Sequence, residues 1–197
     1  MEFNVGIKQY LTYRLPIVGL RMPWVGLQVK NGIFKEKMII KAVATDLIQA
    51  DKVLKEVKKH MHNQGIDQWD QEYPNKDTLA ADIERNEGFV YVDQGRILAY
   101  MALNERHDEE YNDLSWKTSI PFIVIHRLYV KPSAQGKGIS SQMIRYAEQY
   151  ALENQYKSIR FDAFSLNNQA NAVYLKKGYK FVGAVSFRKA LFKCYEK

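Results

Sequence analysis

Apolar residues recur along most of this chain at one of two spacings, and the switches between them mark out a succession of elements. Residues 38–43, Met-Ile-Ile-Lys-Ala-Val, form a short apolar block that reads as a strand. Thr45 reads as the N-cap of a helix reaching about residue 62, and the stretch from Gly65 to Trp69 breaks it. Pro74 and Asn75 precede a second helix over about 76–86, with Leu79, Ala80 and Ile83 on its inner face. Strands at 88–92 and 96–103 flank Asp93-Gln94-Gly95, a hairpin signal. The acidic stretch 105–117 reads as a loop. Residues 122–130 are largely apolar and rich in β-branched side chains, as a central strand is, and Pro132 ends the run.

The spacing of Ile139, Met143, Ile144, Ala147 and Ala151 predicts a helix over about 138–154, with a strand at 158–164 after it. A short helix over 168–177 stops at Gly178, and 179–187 with 190–195 close as an antiparallel pair. The order is strand, two helices, three strands, helix, strand, helix, two strands, a mixed α/β domain over residues 38–197 without internal repeats. Residues 1–37 differ. Gly6, Pro16, Gly19, Pro23, Gly26 and Gly32 are scattered through them with no sustained period, so they read as an N-terminal appendage. Either a dimerisation segment, which makes a homodimer an expectation, or an upstream extension of the reading frame fits.

A chain of 197 residues with 46% hydrophobic content suits one compact domain and excludes global disorder. Cys194 is the sole cysteine, which rules out an intrachain disulfide framework and a Cys-rich zinc site. No metal is expected, and a reducing cytoplasm is the expected location. The most apolar N-terminal stretch, 15–29, is too short to span a membrane and contains Pro16, Arg21 and Pro23. Glu2 stands where a signal peptide carries positive charge.

The formal charge of +7 is uneven: residues 1–37 carry six basic and two acidic side chains, and 176–197 carry seven and one. The long middle section is therefore net acidic. A continuous nucleic-acid-binding surface is not indicated; a local site for one anionic ligand is.

Two stretches concentrate the chemistry. The first is Leu128-Tyr129-Val130-Lys131-Pro132-Ser133-Ala134-Gln135-Gly136-Lys137-Gly138-Ile139-Ser140-Ser141. A buried strand runs through a two-glycine loop into an amphipathic helix, aiming unpaired backbone N–H groups and the positive helix end at one point. Phosphate or pyrophosphate suits that arrangement, with Lys137 adding charge. A plain strand-to-helix turn capped by Ser140 is the alternative. A Walker loop fails because Ile139 follows Gly138; a dinucleotide fingerprint fails at Ser141, where it needs glycine, although Asp162 lies near the expected ribose-binding distance.

The second stretch is Asn167-Asn168-Gln169-Ala170-Asn171-Ala172-Val173-Tyr174-Leu175-Lys176-Lys177-Gly178-Tyr179. Together the two resemble the GCN5-related N-acetyltransferase (GNAT) superfamily, over about residues 38–195. Asn167, Ala170, Tyr174, Lys176, Gly178 and Tyr179 match its Asn-x-x-Ala-x-x-x-Tyr-x-Lys-x-Gly-aromatic signature. One departure is Ser140, at a position where the family has Gly or Ala; it puts affinity in doubt more than activity.

The resemblance implies an acyl-CoA N-acyltransferase fold, a single mixed, mostly antiparallel sheet flanked by helices. It also implies acetyl-CoA as acetyl donor and transfer to an amine. Gln135, Gly136, Lys137, Gly138, Ile139 and Ser140 would hold the diphosphate. Leu128, Tyr129 and Val130 would present strand backbone to the pantetheine arm, Asn167 would bond that arm, and Tyr174 would protonate the departing thiolate. His126, in register with Leu128 on a regular strand, and Glu105, at the end of the preceding strand, are alternative general bases beside a water relay. A structural role for His126 is the competing reading.

By the same resemblance the connection from Gly65 to Tyr73 overlies the acceptor. The acidic loop 105–113 is either a solvated hairpin tip, the preferred reading, or an attractor of cationic amines. The expected acceptor is a small-molecule amine or a peptide, with neither nucleic acid nor membrane as partner. A non-catalytic acyl-CoA-binding or sensing module is the competing function.

Overall fold

The computed structural model describes residues 37–118, 120–188 and 190–197. The appendage reading of residues 1–37 falls outside them, except that Lys37 already pairs with Asp93 in the first strand. Among the described residues are β1 (Lys37–Lys41), α1 (Leu47–Asn63), α2 (Lys76–Glu84), β2 (Gly88–Asp93), β3 (Arg96–Asn104) and β4 (Phe122–Val130). They continue with α3 (Ile139–Glu153), β5 (Ser158–Phe164), α4 (Asn168–Lys176), β6 (Lys180–Phe187) and β7 (Ala190–Glu196).

The strands form one sheet in the order β1-β2-β3-β4-β5-β7-β6. Every neighbouring pair is antiparallel except β4 and β5. Alternation along β2 assigns the faces: Val90 and Val92 pack with Ala50, Val53, Leu54 and Val57 of α1, whereas Phe89 and Tyr91 pack with Met143, Ile144 and Ala147 of α3. Burying a side chain such as Leu54 or Ile144 contributes roughly 1.5–3 kcal/mol. A third cluster, in which Tyr111 meets Phe122, Val124, Phe164, Val185 and Phe192, lies beside the 105–117 stretch.

Local chemistry shifts some boundaries. The strand expected over 38–43 stops at Lys41, and Thr45 falls inside a 3₁₀ turn, Ala44–Asp46. The capping acceptor is the Asp46 carboxylate, which accepts the Val43 N–H at 3.0 Å. α2 starts as expected. Asn75 Oδ1 accepts the Thr78 N–H at 2.9 Å, and Thr78 Oγ1 accepts the Asn75 N–H at 3.3 Å.

Two irregularities in the central strands create the site. β4 and β5 pair only from Phe122–Val124 to Ser158–Arg160 and then separate, although β4 runs on to Val130 and β5 to Phe164. β4 also bulges against β3: Tyr100 pairs with Tyr129 and Ala102 with His126, and Arg127 takes a left-handed φ of 53°. The bulge transfers Leu128 and Val130 to the α3 face, where Ile123 and Ile125 already pack. His126 and Leu128 therefore do not share a face, contrary to the regular-strand expectation.

Candidate active site

The gap between β4 and β5 opens into a cavity of about 680 Å³. Its wall takes in Leu128, Ile144, Phe161 and Tyr174 from the α3 face and Trp69, Tyr73 and Tyr111 from the other, so the cavity passes through the sheet where the strands part.

On the α3 side, Gly136 and Gly138 hold φ of 73° and 74°, and Gly138 is the N-cap of α3. A Cβ on either would meet nothing within 4 Å, so backbone conformation rather than space calls for glycine. The turn delivers Gly136, Gly138, Ile139 and Ser140 to the cavity wall, where the first amides of α3 have no carbonyl a turn earlier to bond. Gln135 lines the same wall and donates from Nε2 to the Val130 carbonyl at 3.1 Å, closing the loop onto β4. Such a cradle of amides at a helix N-terminus fits a diphosphate. Lys137 does not join it: exposed, it donates from Nζ to the Ser133 carbonyl at 3.0 Å and stands outside the wall.

The backbone of Leu128, Tyr129 and Val130 borders the gap on the side that β5 has left. The Tyr129 ring points away from it, stacked on Tyr100 with its hydroxyl donating to the Ala50 carbonyl at 3.1 Å. Asn167 reaches the wall, but its Oδ1 caps α4 by accepting the Ala170 N–H at 3.1 Å, so its role is at least partly structural. Tyr174 is half-buried at the gap against Phe161, with ring centroids 3.9 Å apart. Burial, reinforced by Asp162, pushes its phenol above the usual tyrosine range, so it keeps its proton at neutral pH.

The two expected bases fare differently. His126 lines the cavity, but its Nε2 lies 3.0 Å from the Arg106 carbonyl and so carries the proton. Burial and the neighbouring Arg127 lower its pKa to about 3, leaving a neutral and weak base. Glu105 is not brought to the cavity. Past the end of β3, its carboxylate accepts the Tyr156 hydroxyl at 2.6 Å on the outer surface.

Across the sheet, Ile66, Gln68, Trp69 and Tyr73 of the α1–α2 connection line the wall, as expected. So do Asp108, Glu110 and Tyr111 of the 105–113 stretch; most of the stretch is solvent-exposed, in line with the preferred reading of a solvated tip, but Tyr111 turns inward. Tyr111 is 2% exposed and anchors the segment in the third cluster.

Two features of the site are not legible as such in the sequence. The bulge turns Arg127 into a buried network: Nε and Nη2 donate to Asp82 at 2.9 and 2.7 Å, and Nη1 donates to the Tyr73 hydroxyl at 2.8 Å. Asp82 also accepts the Tyr100 hydroxyl at 3.0 Å. The second is Asp162, which lines the cavity from β5 and accepts the Tyr111 hydroxyl at 2.8 Å. Burial raises its pKa to about 6 against the pull of the Tyr111 hydrogen bond, and Asp108 adds to the rise.

The parting of β4 from β5 beside an amide-lined turn agrees with a direct family comparison, in which residues 53–179 match the acetyltransferase (GNAT) family. The chain belongs to that family. Among solved structures it is similar to a GNAT-family acetyltransferase from Streptococcus agalactiae 2603, at 20% identity and a TM-score of 0.72 over 84% of this chain and 98% of that one. A GNAT-family acetyltransferase from Listeria monocytogenes 4b F2365 has 22% identity and a TM-score of 0.66 over 82% and 94%. The PaiA N-acetyltransferase of Thermoplasma acidophilum, in complex with coenzyme A, has 20% identity and a TM-score of 0.63 over 82% and 98%. These likenesses establish the GNAT fold, the mostly antiparallel sheet flanked by helices that the sequence led us to expect. Among the described residues, no helix is long and apolar enough to cross a membrane.

Proposed function

We propose that this protein moves the acetyl group of acetyl-CoA to a primary amine by direct transfer within a ternary complex. The observation that carries the reading is the meeting, at one gap in the sheet, of the amide-lined turn, the β4 edge that β5 has left and the phenol of Tyr174. The acetyl donor supplies a thioester carbonyl for attack. The amides from Gly136 to Ser140 hold its diphosphate at the positive end of α3, and the Ser140 hydroxyl adds one more donor. Leu128 and Val130 offer backbone groups to the pantetheine arm, and an N–H of this edge polarises the thioester carbonyl. Tyr174 gives its proton to the departing sulfur. The amine approaches along Trp69, Tyr73 and Tyr111, where Asp108 and Glu110 favour a cation.

One anionic substrate held by backbone amides needs no extended basic surface, so neither nucleic acid nor membrane enters the proposal. A buried Cys194, whose thiol burial pushes up to about 12, suits a cytoplasmic enzyme with no redox role for that residue. Tyr174→Phe tests the assignment. Turnover should fall at least 100-fold with acetyl-CoA affinity unchanged. An unmutated protein that binds acetyl-CoA yet acetylates no polyamine, aminoglycoside, amino acid or peptide would instead be a sensing module.

A further inference from the structure

We propose that Asp162 is the general base of this site, taking the proton of the acceptor ammonium while the Tyr111 hydroxyl fixes its carboxylate; the proposal rests on the acetyl-transfer reading above. The argument begins with the sheet. Phe161 and Ala163 pack on the α3 face, so Asp162 between them faces the opposite side, where Tyr111 meets it. It lies two residues beyond Arg160, the last β5 residue paired with β4, and therefore at the start of the gap. The amine side of the cavity and the thioester side meet there.

The charged and titratable groups around it come from every neighbouring element. Tyr111 and Asp108 face it from the segment after β3, Cys194 from β7, Tyr174 from α4, Arg127 from β4 and Tyr73 from the α1–α2 connection. The carboxylate thus interacts with the proposed acid, Tyr174, through the gap and with the acceptor wall on its own face. Tyr111 occupies one lone pair of Oδ2, and the Asp162 N–H takes another site, which leaves acceptor positions for an ammonium. Partial burial makes this carboxylate a stronger base than an exposed one, with a pKa of about 6. His126 is far weaker, and Glu105 is elsewhere.

The step balances without another reactant. An ammonium N–H proton passes to Asp162, and the freed nitrogen lone pair forms the C–N bond to the acetyl carbonyl. The C–S bond breaks, its electron pair stays on sulfur, and sulfur takes the Tyr174 proton. The second nitrogen proton restores Tyr174 through solvent, and Asp162 releases its own to solvent.

The test uses the full chain. The acceptor is whichever of spermidine, kanamycin, lysine or an alanyl peptide gives the fastest CoA release, and it is compared with aniline, which is neutral at pH 7. Asp162→Asn should lower kcat/KM for the alkylamine at least 100-fold, abolish the rise in kcat/KM near pH 6, and leave acetyl-CoA affinity unchanged. The loss should be much smaller with aniline, which needs no initial deprotonation. Tyr111→Phe removes the bond that holds the carboxyl down, so it should move the rise to higher pH. Independently of turnover, ¹³C NMR of the free protein should show a carboxyl titrating near pH 6 that disappears in Asp162→Asn. An Asp162→Asn enzyme that keeps the acidic limb, or an Asp162 that titrates near pH 4, overturns the proposal. Failure of the unmutated protein to acetylate any amine defeats the transfer reading itself, a separate and distinguishable outcome.

Discussion

At the scale of single residues, Asp162 and His126 respond to burial in opposite directions, and each leaves its own mark on stability. Asp162 titrates near 6 in the fold against 3.8 ordinarily, so the folded state binds its proton more tightly than the unfolded chain does. The stabilisation is full below about pH 4 and is lost as pH rises to about 6. Asp162→Asn should therefore raise the melting temperature at pH 8 relative to the unmutated protein and do less at pH 4, while costing activity. His126 titrates near 3 against 6.5, so its contribution is present above pH 6.5 and lost as pH falls towards 3. His126→Gln retains a donor for the Arg106 carbonyl. It should keep kcat/KM within a few-fold at pH 7.5 and soften acid unfolding, as circular dichroism against pH would show. A 100-fold loss of activity would return His126 to the role of base.

At the scale of elements, the site depends on where regular strands fail. The bulge at Arg127 brings a guanidinium into the interior with Asp82 as its bidentate partner, side chains 9% and 1% exposed. Arg127→Met leaves the Asp82 carboxylate buried without that partner and should destabilise the protein by about 3 kcal/mol, read from urea unfolding. A loss below about 1 kcal/mol would mean that the pair is dispensable. At the α3 turn, Gly138→Ala meets no clash and carries only the conformational cost of a left-handed alanine, about 1–2 kcal/mol. Relief of that strain would shift the amides, so acetyl-CoA affinity should fall several-fold by calorimetry. Most elements were legible in the sequence because their apolar spacing is regular: α1, α3 and the β2–β3 hairpin announce themselves. The bulge was not, because no glycine marks it, and with it went the register of His126 against Leu128. Asp162 is legible in the sequence only by its distance from the glycine loop, not as part of this cavity. In Ser-Ile-Arg-Phe-Asp-Ala-Phe it occupies an alternating position that reads as solvent-facing, and only the parting of β5 from β4 turns that position into a cavity wall.

At the scale of the whole molecule, the sheet divides the work between its two faces. The α3 and α4 face presents helix-end amides and Tyr174, and the α1 and α2 face presents aromatic and acidic side chains, with one opening between them. The net charge of +7 misdirects if read as a surface property. Lys137 bonds its own loop, and Lys176 and Lys177 stand outside the cavity wall, so the proposed anion cradle is built of backbone amides rather than lysines. In the proposed reaction donor and acceptor reach the gap from opposite faces, and both are bound before the acetyl group moves. Initial velocities of CoA release over a matrix of acetyl-CoA and amine concentrations test that most directly. The account predicts intersecting double-reciprocal lines and one acetylated amine per CoA released; parallel lines, or no release with any amine, would contradict it.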